Sequence, residues 1–129
     1  MLESLSLDGR SVVITGGGTG LGRAMVRDMA RAGANLVIAG RRTGPIEEAA
    51  TEAISLGVDA TFVATDVTDS SQVANLMKTC LNRFGKIDVL LNNAGAVSDN
   101  VRKPIWEHTD EEWDRIMRVN LTGAFFCAR

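Results

Sequence analysis

Residues 15–22 read Thr-Gly-Gly-Gly-Thr-Gly-Leu-Gly and stand between a β-branched run, Val12-Val13-Ile14, and a stretch with helical periodicity. No other feature narrows the fold as much. A glycine-rich turn at this place lets the backbone take positive φ and approach another group closely. It also delivers the chain to a helix start, where unpaired amide N–H groups and a partial positive charge suit a pyrophosphate. A charge-assisted hydrogen bond of that kind contributes about 1.5–3 kcal/mol. The spacing is selective. A G-x-G-x-x-G pattern would put its third glycine on Arg23 or Met25, and neither fits. Thr15, Gly16, Gly20 and Gly22 fit T-G-x-x-x-G-x-G instead.

The rest of the chain alternates in the same way. Leu21, Ala24, Met25, Met29 and Ala32 recur at helical spacing, and Gly33 sits where a helix ends. Leu36-Val37-Ile38 marks a second strand within Asn35 to Ala39. Gly44-Pro45 opens a second helix with proline just inside its start and Glu47 and Glu48 in its first turn; it ends at Leu56-Gly57. Ala60 to Thr65 is a third strand. Asp69 and Gln72 have capping-box spacing at the start of a third helix, whose apolar face runs through Val73, Leu76, Met77, Cys80, Leu81 and Phe84 to Gly85. Ile87 to Leu91 is a fourth strand. Thr109 to Glu112 is a further capping signature leading into Trp113, Ile116, Met117, Leu121, Ala124 and Phe125. Such alternation predicts an α/β fold, a Rossmann-like doubly wound parallel sheet with order 3-2-1-4 and helices on both faces. The last helix carries no closing signal through Arg129. Residues 1–129 are therefore expected to be the N-terminal part of a single nucleotide-binding domain, cut after the fourth strand and the following helix.

Composition excludes several functions. Lys+Arg 14 against Asp+Glu 16 gives a net charge of −2 over 129 residues, so no basic footprint for nucleic acid or an anionic membrane exists. Residues 1–8 lack the basic start and apolar core of a signal peptide, and no apolar run approaches the ~20 residues that span a bilayer. Two cysteines, Cys80 and Cys127, read as buried thiols of a reducing, cytoplasmic compartment. The one histidine, His108, leaves no metal-ligand cluster and reads as a surface residue. Trp106 and Trp113 are expected to pack around the last helix, and Met25, Met29, Met77 and Met117 to fill the core. Tyrosine is absent.

At four ordered places the chain resembles the short-chain dehydrogenase/reductase family. Thr15 to Gly22 matches its cofactor loop, Asp66-Val67 its adenine-side pair, Asn92-Asn93-Ala94-Gly95 its N-N-A-G signature, and Asn120 its catalytic-helix asparagine. The resemblance implies hydride transfer between NADP(H) or NAD(H) and a small-molecule carbonyl or alcohol, in a homodimer or homotetramer. It implies cofactor contacts from Gly16, Gly18, Thr19, Gly20, Leu21, Gly22, Asp66, Val67, Asn93, Ala94 and Gly95, and a catalytic role for Asn120 in ordering a water. The family's serine and Tyr-x-x-x-Lys are missing from these residues, so the chain alone is expected to bind cofactor without turnover. The alternative is a non-enzymatic NADP(H)-binding or sensor module.

Some positions also speak physically. An acid at the end of the second strand would select NAD through the ribose hydroxyls. Here Gly40 holds that place, and Arg41 and Arg42 follow. Guanidinium matches phosphate with paired hydrogen bonds, which favours NADP(H). Asp66 is expected to accept from the adenine amine, with an Asx-turn as the other reading. A buried amide in Asn92-Asn93 must find partners and is expected to tie loops together, a role assigned first to Asn92. Asn120, mid-helix beside apolar neighbours, is expected to hold a water or a backbone group.

Overall fold

The computed structural model describes residues 5–100 and 102–129; Met1 to Ser4, half of the stretch read above as no signal peptide, lie outside the described residues. The elements in order are β1 (Ser11–Thr15), α1 (Gly20–Arg31), β2 (Asn35–Gly40), α2 (Thr43–Ser55), β3 (Ala60–Ala64), α3 (Ser70–Phe84) and β4 (Val89–Leu91). A short turn of 3-10 helix at Ile105–Glu107 then leads to α4 (Asp110–Met117), a π-helical segment (Arg118–Gly123) and α5 (Ala124–Ala128). All strand pairs are parallel and the order is β3-β2-β1-β4, as the sequence predicts.

Strand alternation divides the core into two layers. Val12, Ile14, Leu36 and Ile38 face α1 and α2, where they meet Val26, Ala30, Ile46, Ala49 and Ala53. Val13, Val37 and Ala39 face the other way onto Leu76 and Cys80 of α3. Every residue of β1 is buried, whereas β4 at the sheet edge is half-buried.

Two helix faces differ from expectation. The buried side of α1 is Gly22, Val26 and Ala30, and Leu21 is 71% exposed. The apolar stripe in the sequence is displaced because α1 crosses very close to the glycine loop: a Cβ at Gly22 would collide with the Gly16 carbonyl oxygen. Small residues take the contact, and Met25 and Met29 only fill its flanks. In the last helix, Trp113, Leu121 and Phe125 are exposed, and Gly123 and Cys127 are buried with Val119 and Phe126 beside Val67 and Val73. The π-helical segment accounts for Leu121 and Phe125, which lie within and beyond it, while Trp113 precedes it on α4. One extra residue in a turn rotates everything beyond it by roughly 100°, so a stripe extrapolated at 3.6 residues per turn leaves the true face. Trp106 is likewise 81% exposed rather than packed around that helix. No helix among the described residues is long and apolar enough to cross a membrane.

The helix starts follow their caps with two differences. Asp69 accepts from the amides of Ser71 and Gln72, but the Gln72 Oε1 turns outward to the Asp66 amide at 2.8 Å. Thr109 and Glu112 form the full reciprocal box. Because α2 begins at Thr43, Glu47 and Glu48 fall beyond its first turn.

At the amino ends of β1 and β4, Asp88 accepts from the Ser11 amide (2.8 Å) and hydroxyl (3.2 Å) and pairs with Arg10 and Lys86. The Ser11 amide bond, aided by these neighbours, holds its pKa down at about 2. An acid whose pKa is depressed on folding stabilises fully above its unfolded value, ordinarily 3.8, and loses that contribution as pH falls toward 2. The melting temperature should therefore fall between about pH 4 and pH 2, and Asp88→Asn should lower it at neutral pH and flatten that acid limb. Thermal melts across this range check both; an unchanged acid limb in the variant would contradict the assignment.

Candidate functional site

The glycine loop leaves β1 at Thr15 and enters α1 at Gly20. Gly16 (φ 65°) and Gly20 (φ 55°) take the left-handed conformation that makes this turn possible. Thr19 stands at the N-cap with no side-chain cap bond, and the first return bond runs from the Arg23 amide to the Thr19 carbonyl at 3.2 Å. The amides of Gly20, Leu21 and Gly22 thus have no protein acceptor among the described residues, as an anion-binding helix start requires.

This loop is fastened to the one that follows β4. Thr15, 1% exposed, accepts at Oγ1 from the amides of Asn93 (3.1 Å) and Ala94 (3.0 Å) and donates to the Leu91 carbonyl (3.3 Å). In return the Asn93 side-chain amide donates to the carbonyls of Thr15 (3.1 Å) and Gly16 (3.0 Å). A Cβ on Gly16 would lie 3.0 Å from both Ala94 Cα and Asn93 Nδ2, so the two loops touch without side chains between them. Asn92 ties a different pair, donating to the Ala124 carbonyl at 3.3 Å. Both asparagines are ties, and it is Asn93 that serves the glycine loop.

Between these loops and the ends of β2 and β3 lies a cleft of about 420 Å³. It sits at the carboxyl edge of the sheet, beside the switch point between β1 and β4, where open α/β folds bind ligands. Gly16, Gly18, Thr19, Arg41, Arg42, Asp66, Val67, Ala94 and Gly95 all line it. Gly20, Leu21, Gly22 and Asn93 do not, nor does Asn120. Arg41 and Arg42 are exposed and have no ion pair among the described residues. At Gly40 an added Cβ would meet Ile46 Cγ2 at 2.8 Å, so α2 leaves that position little room for a side chain.

Asp66 forms the Asx-turn that was its second reading. Its Oδ1 accepts from the Thr68 amide (2.9 Å) and hydroxyl (2.7 Å), an Asx-turn that leads to α3. Its Oδ2 takes no bond among the described residues. The cleft also uses Thr65, Pro45, Ile46, Thr68, Arg115, Arg118 and Val119, which the sequence reading did not place there. For the last three a signal existed: they precede Asn120 within about one and a half helical turns.

Asn120 lies inside the π-helical segment, a geometry that recurs at functional sites. Its amide is paired with the backbone: Nδ2 donates to the carbonyls of Ala96 (2.7 Å) and Ile116 (2.9 Å), and Oδ1 accepts from the Ala96 amide (3.2 Å). His108 is not a free surface residue. Its Nε2 is 3.1 Å from the Lys103 carbonyl and its Nδ1 is 3.6 Å from Glu112. Glu112, bonded first to the Lys103 ammonium and then to the Thr109 amide, is held near pKa 2. Burial pushes the thiols of Cys80 and Cys127 up, which keeps them protonated.

The model of the short chain dehydrogenase family matches residues 10–129. The chain belongs to that family. An uncharacterized oxidoreductase of Thermotoga maritima is 42% identical over 127 residues, covering 95% of this chain and 47% of that protein. A (5R,7aS)-5-hydroxy-7a-methyl-1-oxo-2,3,5,6,7,7a-hexahydro-1H-indene-carboxyl-CoA reductase of Mycobacterium tuberculosis is 39% identical over 125 residues, covering 95% and 47%. Among solved structures, a short-chain type dehydrogenase/reductase from Mycobacterium marinum superposes with a TM-score of 0.91 at 32% identity, covering 98% of this chain and 49% of the other. The chain spans about half the length of the curated relatives it matches. Short-chain dehydrogenases are oxidoreductases, and a nicotinamide cofactor follows from the family.

The fastening of the two loops can be tested in this short-chain dehydrogenase without any ligand. Thr15→Val keeps the shape and removes the acceptor for two buried amides, which should cost about 1–3 kcal/mol. Urea unfolding measures this; a loss below about 0.5 kcal/mol, the range of ordinary surface changes, would mean the bonds are not needed.

Proposed function

We propose that residues 1–129 form the cofactor-holding part of a single NAD(P)-binding domain, and that this part binds NADP(H) for hydride exchange with a small-molecule carbonyl or alcohol. The observation that carries this reading is one cleft lined by Thr19 at the uncapped start of α1, by two guanidiniums with no ion pair among the described residues, and by Asp66, one of whose carboxylate oxygens takes no bond among them. A volume of about 420 Å³ suits a ligand site of this kind. When bound, the nicotinamide supplies or accepts the hydride.

The chain's own residues divide the remaining work. The amides of Gly20, Leu21 and Gly22, presented by the turn at Gly16, Gly18 and Thr19, take the pyrophosphate. Arg41 and Arg42 take the 2′-phosphate, which NADP(H) has and NAD(H) lacks. Asp66 accepts from the adenine amine, with Val67 behind the ring. The backbone at Asn93, Ala94 and Gly95 borders the ribose. Asn120, anchored on Ala96, holds the loop beyond Gly95 and supports a water in the proton path of the complete enzyme. A homodimer or homotetramer is the expected assembly. With no tyrosine in the chain, these residues supply no phenolic acid for the substrate oxygen. The second reading is a non-enzymatic NADP(H)-binding module.

Fluorescence titration tests the cofactor assignment. NADPH should bind more tightly than NADH. The double variant Arg41→Ala, Arg42→Ala should weaken NADPH roughly tenfold to a hundredfold and leave NADH within about twofold. Equal losses for both cofactors would refute a 2′-phosphate role.

A further inference from the structure

The loop that carries Asp66 is gripped from the π-helical segment. Arg118, its first residue, sends Nη2 across to the Thr68 carbonyl at 3.0 Å, fifty residues away in sequence. Its guanidinium lies 5.8 Å from the Phe126 ring centroid, so the side chain is held on two sides. Thr68 in turn supplies both donors to Asp66 Oδ1, and Gln72 fixes the Asp66 amide. At the other end of the segment, Gly123 abuts Val67: an added Cβ would lie 2.6 Å from Val67 Cγ2. Arg118 also lines the cleft beside Asp66 and Val67.

We propose that Arg118 is a positioning residue for base recognition: through Thr68 it holds the 66–68 loop so that Asp66 commits one carboxylate oxygen to the turn and keeps the other for the cofactor's adenine amine. This rests on the NADP(H) reading above. The reason is geometric. Without the Arg118 bond the Thr68 carbonyl loses its tether to the helix, the turn loosens, and the carboxylate rotates among several acceptor directions. Affinity then falls, and so does the ability to distinguish an amine from a carbonyl at the same ring position. The effect concerns the adenine half only, so it is common to NADPH and NADH, unlike that of Arg41 and Arg42.

The test uses calorimetric titration with NADPH, NADH, adenosine 2′,5′-bisphosphate and the hypoxanthine analogue of NADPH. The wild-type protein should prefer NADPH to the hypoxanthine analogue, whose ring oxygen would face a carboxylate. Arg118→Met should weaken NADPH, NADH and the bisphosphate alike, about tenfold, and abolish that preference. Arg118→Lys, which can still donate to the Thr68 carbonyl, should restore most of it. Thr68→Ala, which removes one of the two anchors of Asp66, should reduce the preference too, and it carries the test if the Met variant does not fold. A preference left intact in Arg118→Met or Thr68→Ala, or no rescue by lysine, would overturn the proposal. Absence of dinucleotide binding by the wild-type protein would instead overturn the reading of the site, and the proposal with it.

Discussion

Thr15 and Asn93 hold β1 and β4 together where the strand order of the sheet reverses. Parallel strands in an open α/β sheet leave a crevice at that reversal, because the connections depart to opposite faces. A crevice flanked by two independent loops would be poorly defined. Here one threonine hydroxyl and one asparagine amide cross-link the loops through five contacts to backbone groups. Gly16 and Gly22 both abut that fastening, since a Cβ on either would lie 3.0 Å or 2.5 Å, respectively, from the Asn93 side-chain nitrogen. Asp88 repeats the device at the opposite end of the same strand pair, with a carboxylate accepting from Ser11.

The second constraint comes from the far side of the cleft. The π-helical segment inserts a residue between α4 and α5 and so gives that helix two working faces. Asn120 reaches the backbone at Ala96, while Arg118 and Gly123 reach the loop after β3. The loops after β1, β3 and β4 are thereby referenced to one another through side chain–backbone bonds. Such referencing fixes the three loops around one cleft relative to one another.

Much of this was legible in the residues. Apolar strands separated by capped helices gave the parallel sheet and its order, since those signals are local and strong: β-branched runs, Pro45 inside a helix start, Thr109 with Glu112. Gly16, Gly18 and Thr19 of the glycine loop, Asp66-Val67 and Ala94-Gly95 line the cleft because each follows closely on a strand end, whereas Gly20, Leu21, Gly22 and Asn93 do not line it. What escaped was set by tertiary contact. The tight crossing at Gly22 displaced the α1 stripe from Leu21 to Val26. The π-helical turn rotated the last helix, exposing Leu121 and Phe125 against expectation. The bond between Arg118 and Thr68 gave no local signal, because it joins segments fifty residues apart. His108 looked solitary in sequence and acquired Lys103 and Glu112 as neighbours only through folding.

Receipt of a diphosphate at the uncapped start of α1 would be seen by the amides there. Amide chemical shifts recorded by NMR during addition of NADPH address it directly. The largest changes are expected at Gly20, Leu21 and Gly22, with smaller ones at Asp66 and Ala94. Saturable binding that left those three amides unmoved would contradict it.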